Sequence, residues 1–349
     1  MSLKSAARIR ITIVACAVAA VTALIAQPAT AAPAHDNGAL QHGIDGTGTD
    51  AHPYLVYSPS SIRRDQAAPL VVVVHGCQTT AAQQMESTRY NRIADRHGFV
   101  VLYPDVDAIG RSLPWPMTNC WRFFDPASWH RGGGEAAAIA SMTRSVMRSH
   151  TIDTRRVYLI GMSAGGFMAS IMSATYPDLY AAIGIASAGA YADPSCLYGS
   201  PVTRPVDDSA RAAYLEMGSR GRVVPRLVIG GDQDQTVPPD CQARALDQGL
   251  MTDNLVLARA GRKPVSLVPT SIHQHLVPHG HSSTVFDYVD QKGCLLGQRW
   301  VVHGMNHYWS GGSPDRRLAQ WTDPEGPDAA EISWDFFARQ AASVGSQCL

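Results

Sequence analysis

Ser163 lies between Gly161 and Gly165 in the run Val-Tyr-Leu-Ile-Gly-Met-Ser-Ala-Gly-Gly over residues 157–166. A serine hydroxyl attacks poorly at its free pKa, so it needs a base within hydrogen-bond reach, and the base needs an orienting acid. His307, in Gly-Met-Asn-His-Tyr-Trp-Ser-Gly-Gly, is the candidate base, with His303 as a rival just upstream. Asp232 and Asp234 compete as the acid; the turn at Val237-Pro238-Pro239, which would rigidify the adjoining loop, favours Asp234. Serine, acid, histidine is the chain order expected where the serine sits on a strand-to-helix elbow. The oxyanion formed on attack needs backbone N–H donors. Ala164, directly after the serine, is one candidate, and the loop His75-Gly76-Cys77 offers the other. The chemistry of such a set is acyl transfer through a covalent acyl-enzyme.

These residues need a scaffold that brings distant segments together. Residues 157–160 are apolar strand formers, and residues 167–176 run apolar and small, as a packed helix would. A sharp turn between them tolerates only tiny side chains two positions either side of the serine, which accounts for the glycines. Residues 70–74 are a β-branched run typical of a strand buried on both faces, and residues 99–103 form another. Further strands are expected near 54–57, 181–188, 223–230, 285–289 and 299–302, and helices over 81–97, 135–149, 241–258 and 329–338. Residues 105–134 lack periodicity and gather Cys120, Trp121, Phe123, Phe124 and Trp129 into a long structured loop. Strands alternating with helices predict an α/β protein, a mostly parallel central sheet with helices on both faces. The candidate residues all fall where such sheets gather function, at the carboxyl ends of strands.

At 349 residues with 45% hydrophobic content the chain has ample material for a core. Lys plus Arg and Asp plus Glu each number 29, so net charge is zero, which argues against a nucleic-acid partner. Lys4, Arg8 and Arg10 precede an apolar stretch over 11–26 and a small-residue site at Ala29-Thr30-Ala31. Residues 1–34 therefore read as a secretory signal peptide and cleavage region, since the apolar stretch is shorter than the ~20 residues a membrane span needs and a cleavage site follows. Residues 35–50 read as a loose lead-in and 51–349 as a single catalytic domain. Cys16 leaves with the signal, and the six remaining cysteines suit disulfides in an exported chain. His273, His275, His279 and His281 share a Pro- and Ser-rich loop with no carboxylate at ligand spacing, so no metal site is expected, nor any cofactor.

His75-Gly76-Cys77, Asn119-Cys120-Trp121, Gly161-Met162-Ser163-Ala164-Gly165, Asp234-Gln235-Thr236-Val237 and the nine residues from Gly304 to Gly312 occur in one order. In these motifs the chain resembles the poly(3-hydroxybutyrate) depolymerase family of serine esterases, which also holds feruloyl and acetylxylan esterases. The resemblance spans roughly residues 54–337 of the chain. It implies an α/β-hydrolase fold, with Ser163 as nucleophile, Asp234 rather than Asp232 as orienting acid, and His307 as base. It implies Cys77 and Ala164 as oxyanion donors and a Cys77–Cys120 disulfide. By elimination, Cys241–Cys294 and Cys196–Cys348 are then the expected remaining bridges.

The expected function is a secreted, monomeric esterase acting on aliphatic polyester, poly(3-hydroxybutyrate) or its oligomers. The alternative is a carbohydrate esterase releasing feruloyl or acetyl groups. A dead hydrolase scaffold that only binds is disfavoured by the intact Ser163, Asp234 and His307. Many depolymerases of this family carry a separate polymer-adsorbing domain, and none is recognisable here after the closing helix. The tryptophans at 115, 121, 129 and 309 are therefore candidates for an apolar platform, with Trp121 and Trp309 the favoured substrate contacts.

Overall fold

The computed structural model describes residues 38–63, 65–197 and 203–340. The expected signal peptide and cleavage site lie outside them. The strands are β1 (Gly38–Asp45), β2 (His52–Pro59), β3 (Ala68–Val74), β4 (Val100–Pro104), β5 (Ile152–Met162), β6 (Ala182–Ala186), β7 (Arg226–Gly231), β8 (Ser271–His275), β9 (Ser283–Val289), β10 (Leu295–Val302), β11 (Trp309–Ser310) and β12 (Thr322–Asp323). The helices are α1 (Ala81–Thr88), α2 (Tyr90–His97), α3 (Ala108–Arg111), α4 (Gly134–Ser149), α5 (Ala164–Thr175), α6 (Val206–Met217), α7 (Pro239–Arg259) and α8 (Ala329–Ala338).

The main sheet has the order β1-β2-β4-β3-β5-β6-β7-β10-β9-β8. Its centre, from β4 through β10, is parallel, and antiparallel strands close both edges. β3 sits in the middle and shows why such a strand reads as one apolar run. Leu70, Val72 and Val74 pack into one core with helices α4, α5 and α7, while Val71 and Val73 face the opposite core with α2 and α8. All five side chains are wholly shielded from solvent, and strand alternation sends successive residues to opposite faces.

Three expectations need correction. Residues 38–45 are an ordered edge strand, β1, registered against β2 from Gly38–Pro59 to Asp45–His52; its side chains are mostly exposed, so no hydrophobic pattern announces it. The helix expected over 81–97 is two helices broken at Arg89, whose φ of 57° is left-handed. The Arg89 guanidinium reaches the Gly311 carbonyl, and it lies 3.3 Å from Asp328 Oδ2, so the break ties the helices to the segment after His307. Finally, Cys196 bonds Cys241, not Cys348, and so Cys241 does not bond Cys294. Cys196 lies on the segment after β6 and Cys241 opens α7, so the bridge spans two neighbouring connections on one core. Cys294 is itself in a disulfide, and Cys348 lies outside the described residues. The Cys77–Cys120 bridge forms as expected.

The long loop before α4 is held by a buried ionic network. Arg122 grips Asp107 with both guanidinium nitrogens, at 2.8 and 2.9 Å, and lies 3.3 Å from Glu135 Oε1. Glu135 Oε2 also accepts the Arg122 backbone N–H. Burial pushes the Glu135 carboxyl up to about 8, against the pull of Arg122. This folded value lies above the ordinary 4.5, so the folded chain keeps a proton that the unfolded chain releases. Stability from this group is therefore complete below pH 4.5 and is lost as pH rises to about 8. Melting temperatures measured across that window are expected to fall in the native chain and to fall less in Glu135→Gln.

Candidate active site

β5 delivers Ser163 to the carboxyl edge of the sheet, and α5 begins one residue later. The serine has φ 54° and ψ −120°, a conformation side chains rarely adopt. Close backbone packing on both sides enforces it. A Cβ on Gly161 would lie 2.1 Å from the Gly165 carbonyl oxygen, and one on Gly165 would lie 2.2 Å from the Val74 carbonyl oxygen. The turn is also pinned by hydrogen bonds from Ser163 N–H to the Ala186 carbonyl and from Phe167 N–H to the Ser163 carbonyl, both 2.9 Å.

The candidate acid and base come from the loops after β7 and β10, which are parallel neighbours. Asp234 is shielded from solvent and its carboxylate accepts four hydrogen bonds: Thr236 and Val237 N–H on Oδ1, Gln242 Nε2 and His307 Nδ1 on Oδ2. The last is 2.8 Å long. A carboxylate only accepts, so Nδ1 of His307 carries the proton and Nε2 presents a lone pair. Ser163 and His307 line one cavity of about 250 Å³, at the small end for ligand sites.

The rival residues pair with each other. His303 Nδ1 lies 2.9 Å from Asp232 Oδ2, and the Gly304 N–H donates to Asp232 Oδ1 at 2.8 Å. Burial raises the Asp232 carboxyl, but these bonds hold it below its ordinary value. Asp232 thus joins the acid-bearing loop to the base-bearing loop. Gln233 N–H to the Met305 carbonyl and Gln235 N–H to Asn306 Oδ1 add to the same seam. The two loops meet so closely that a Cβ on Gly231 would lie 1.9 Å from the Met305 carbonyl oxygen.

The loop after β3 passes in contact with the serine: a Cβ on Gly76 would lie 3.2 Å from Ser163 Cβ. Gly76 and Cys77 line the same cavity. Ala164 opens α5, where first-turn N–H groups lack intrahelical acceptors. His75, fully buried, anchors this loop through Nδ1 at 2.7 Å from the Gly76 carbonyl and Nε2 at 3.3 Å from Asp105. Burial raises the Asp105 carboxyl; His75 and the N–H groups of Ala81 and Val106 outweigh it and hold the group low. Across the loop, Gln78 N–H donates to the Thr118 carbonyl at 2.6 Å, beside the Cys77–Cys120 bridge.

Trp121 is not a surface platform. It is buried, 6.0 Å from His52 in a stack and 5.5 Å from His75, and packs behind the loop after β3. Trp309 is buried too, yet it borders the cavity, as do Met117, Phe123, Phe167, Leu197 and Trp321. Trp115 is 78% exposed and Trp129 half-buried. Sequence reading misses Gln84 and Ser87, one helical turn apart on α1, because two polar residues on a helix carry no catalytic spacing. It also misses His52, Asp107 and Glu135, whose ligand-type atoms lie within 4.8 Å of one another. Arg122 already pairs with both Asp107 and Glu135 there.

The pattern of the family described as Esterase PHB depolymerase matches residues 53–262. The chain belongs to that family. Poly(3-hydroxyalkanoate) depolymerase C of Paucimonas lemoignei is 34% identical over 188 residues, 52% of this chain but only 44% of that protein. Feruloyl esterase B of Neurospora crassa is 30% identical over 249 residues, 67% of this chain and 79% of that one. Among solved structures, the acetyl xylan esterase from Aspergillus awamori matches with a TM-score of 0.63 at 19% identity, covering 86% of this chain and 100% of that chain. The likeness establishes the α/β-hydrolase fold.

Gly161→Ala and Gly165→Ala are expected to disrupt the elbow, because each Cβ would meet backbone oxygen that cannot move aside. Both should lower the melting temperature and abolish labelling by a serine-directed phosphonate. Gly132→Ala, at a positive φ in open space, should retain labelling.

Proposed function

We propose that this chain is a secreted serine esterase acting through an acyl-enzyme, with aliphatic polyester of the poly(3-hydroxybutyrate) type, or its oligomers, as substrate. The observation that carries the catalytic reading is the Asp234–His307 hydrogen bond beside a strained Ser163 in one shared cavity. His307 Nε2 takes the proton from Ser163 Oγ as the oxygen attacks the ester carbonyl. The alkoxide of the tetrahedral intermediate accepts bonds from the N–H groups of Cys77 and Ala164. His307 then protonates the leaving alcohol, and a water repeats the sequence to release the acid. Asp234 stays ionised throughout, holding the tautomer and balancing the imidazolium.

The polyester reading is supported by 34% identity to a poly(3-hydroxyalkanoate) depolymerase and by apolar walls at Met117, Phe123, Phe167 and Leu197. No lysine or arginine lines the cavity among the described residues, which suits an uncharged substrate. A carbohydrate esterase is the second reading, favoured by the longer match to feruloyl esterase B. Secretion is supported by the N-terminal composition and by the disulfides Cys77–Cys120 and Cys196–Cys241.

The purified chain is expected to clear a suspension of poly(3-hydroxybutyrate), and Ser163→Ala to lose on the order of 10⁴-fold or more in kcat without a change in melting temperature. Ferulate or acetate release without clearing would move the substrate to the carbohydrate reading. Asp234→Asn should cost about 10⁴-fold in kcat by favouring the wrong tautomer. Asp232→Asn, which loosens only the seam between loops, should retain far more activity. Equal losses in the two variants would remove the distinction between the acids.

A further inference from the structure

Three residues that line the candidate cavity each carry a buried polar atom with no hydrogen-bond partner among the described residues. The atoms are Gln84 Nε2, Ser87 Oγ and Trp309 Nε1. Their residues are 3%, 2% and 1% exposed. Leaving one buried donor unpaired is costly, and folded proteins rarely do so without a reason. Here three such groups belong to residues that line the cavity bordered by Ser163 and His307.

Their placement is built into the fold. Gln84 and Ser87 lie three residues apart on α1, so they project from one face. The helix start is locked by a capping box between Thr80 and Gln83. The Ser87 carbonyl accepts the Ser313 N–H at 2.8 Å, which fastens the end of α1 to the segment after His307. Trp309 follows His307 by two residues and is fixed by a 2.8 Å bond from its N–H to the Trp321 carbonyl. All three are donors, or in the case of Ser87 a donor and acceptor. With no cation lining the cavity among the described residues, they suit a neutral oxygen acceptor and not a carboxylate.

We propose that Gln84, Ser87 and Trp309 form a polar subsite that receives an uncharged oxygen of the substrate a few atoms from the scissile ester. Trp309 thereby contacts substrate through its indole N–H, not through an exposed ring face. The proposal rests on the serine-esterase reading and adds to it a preference for oxygenated over hydrocarbon esters. The oxygen has two chemical sources: the carbonyl or hydroxyl of a neighbouring polyester unit, or a sugar hydroxyl.

The test compares kcat/KM within two substrate pairs. The first is the methyl ester of the 3-hydroxybutyrate dimer against an ester of the same skeleton lacking the flanking oxygens. The second is monoacetylated xylobiose against cyclohexyl acetate. The oxygenated member is expected to be preferred in one pair. Ser87→Ala, Gln84→Met and Trp309→Phe should each lower that preference by roughly tenfold, the worth of one well-made hydrogen bond. Preference in the first pair assigns a polyester oxygen to the subsite, and preference in the second assigns a sugar oxygen. A ratio near one in both pairs, or a ratio that none of the three substitutions moves, overturns the subsite while leaving the esterase intact. A chain that cleaves none of the four esters removes the esterase reading and the subsite with it.

Discussion

The close approach of three backbone segments at the serine elbow is the constraint on which the site depends. Gly161, Gly165 and the end of β3 meet at distances that admit no side-chain carbon. That contact holds Ser163 at a positive φ just before the start of α5. The strain costs on the order of 1–3 kcal/mol locally. The β3–β5–β6 ladder, buried along β3 and β6 and from Val157 onward in β5, offsets it. Function and core are therefore one problem here: buried core strands also fix the candidate nucleophile.

A second level of organisation is the stitching between loops. The acid and base lie on different loops, and a 2.8 Å bond between them tolerates little drift. Asp232 and His303 hold the loops together, and Gly231 lets their backbones touch. The loop after β3 is fastened in the same manner by His75, Asp105, Gln78 and the Cys77–Cys120 bridge. These contacts hold the loops that carry the proposed catalytic groups beside one cavity.

Much of this is legible in the sequence. The elbow reads out because Gly-x-Ser-x-Gly has a steric cause, and β3 because burial on both faces leaves an unbroken apolar run. The turn after Asp234 and its motif favour it over Asp232 in the sequence, and the structure adds what the sequence lacks, the pairing of each acid with its own histidine. The Cys196–Cys241 bridge escapes sequence reading because it joins segments 45 residues apart whose proximity depends on how α7 docks. The burial of Trp121 escapes it too, because an aromatic residue in a loop carries no sign of which face the fold will cover. β1 is silent because an exposed edge strand needs no apolar pattern, and its pairing comes from backbone hydrogen bonds alone.

The most direct test of the central claim is mass-mapped labelling of the folded chain with a fluorophosphonate. The probe reacts only with a serine whose proton a neighbouring base removes. One adduct per chain is expected, on Ser163, with the label lost when His307 is replaced by alanine. A folded chain that stays unlabelled, or one labelled at another serine, would contradict the assignment of Ser163 and His307.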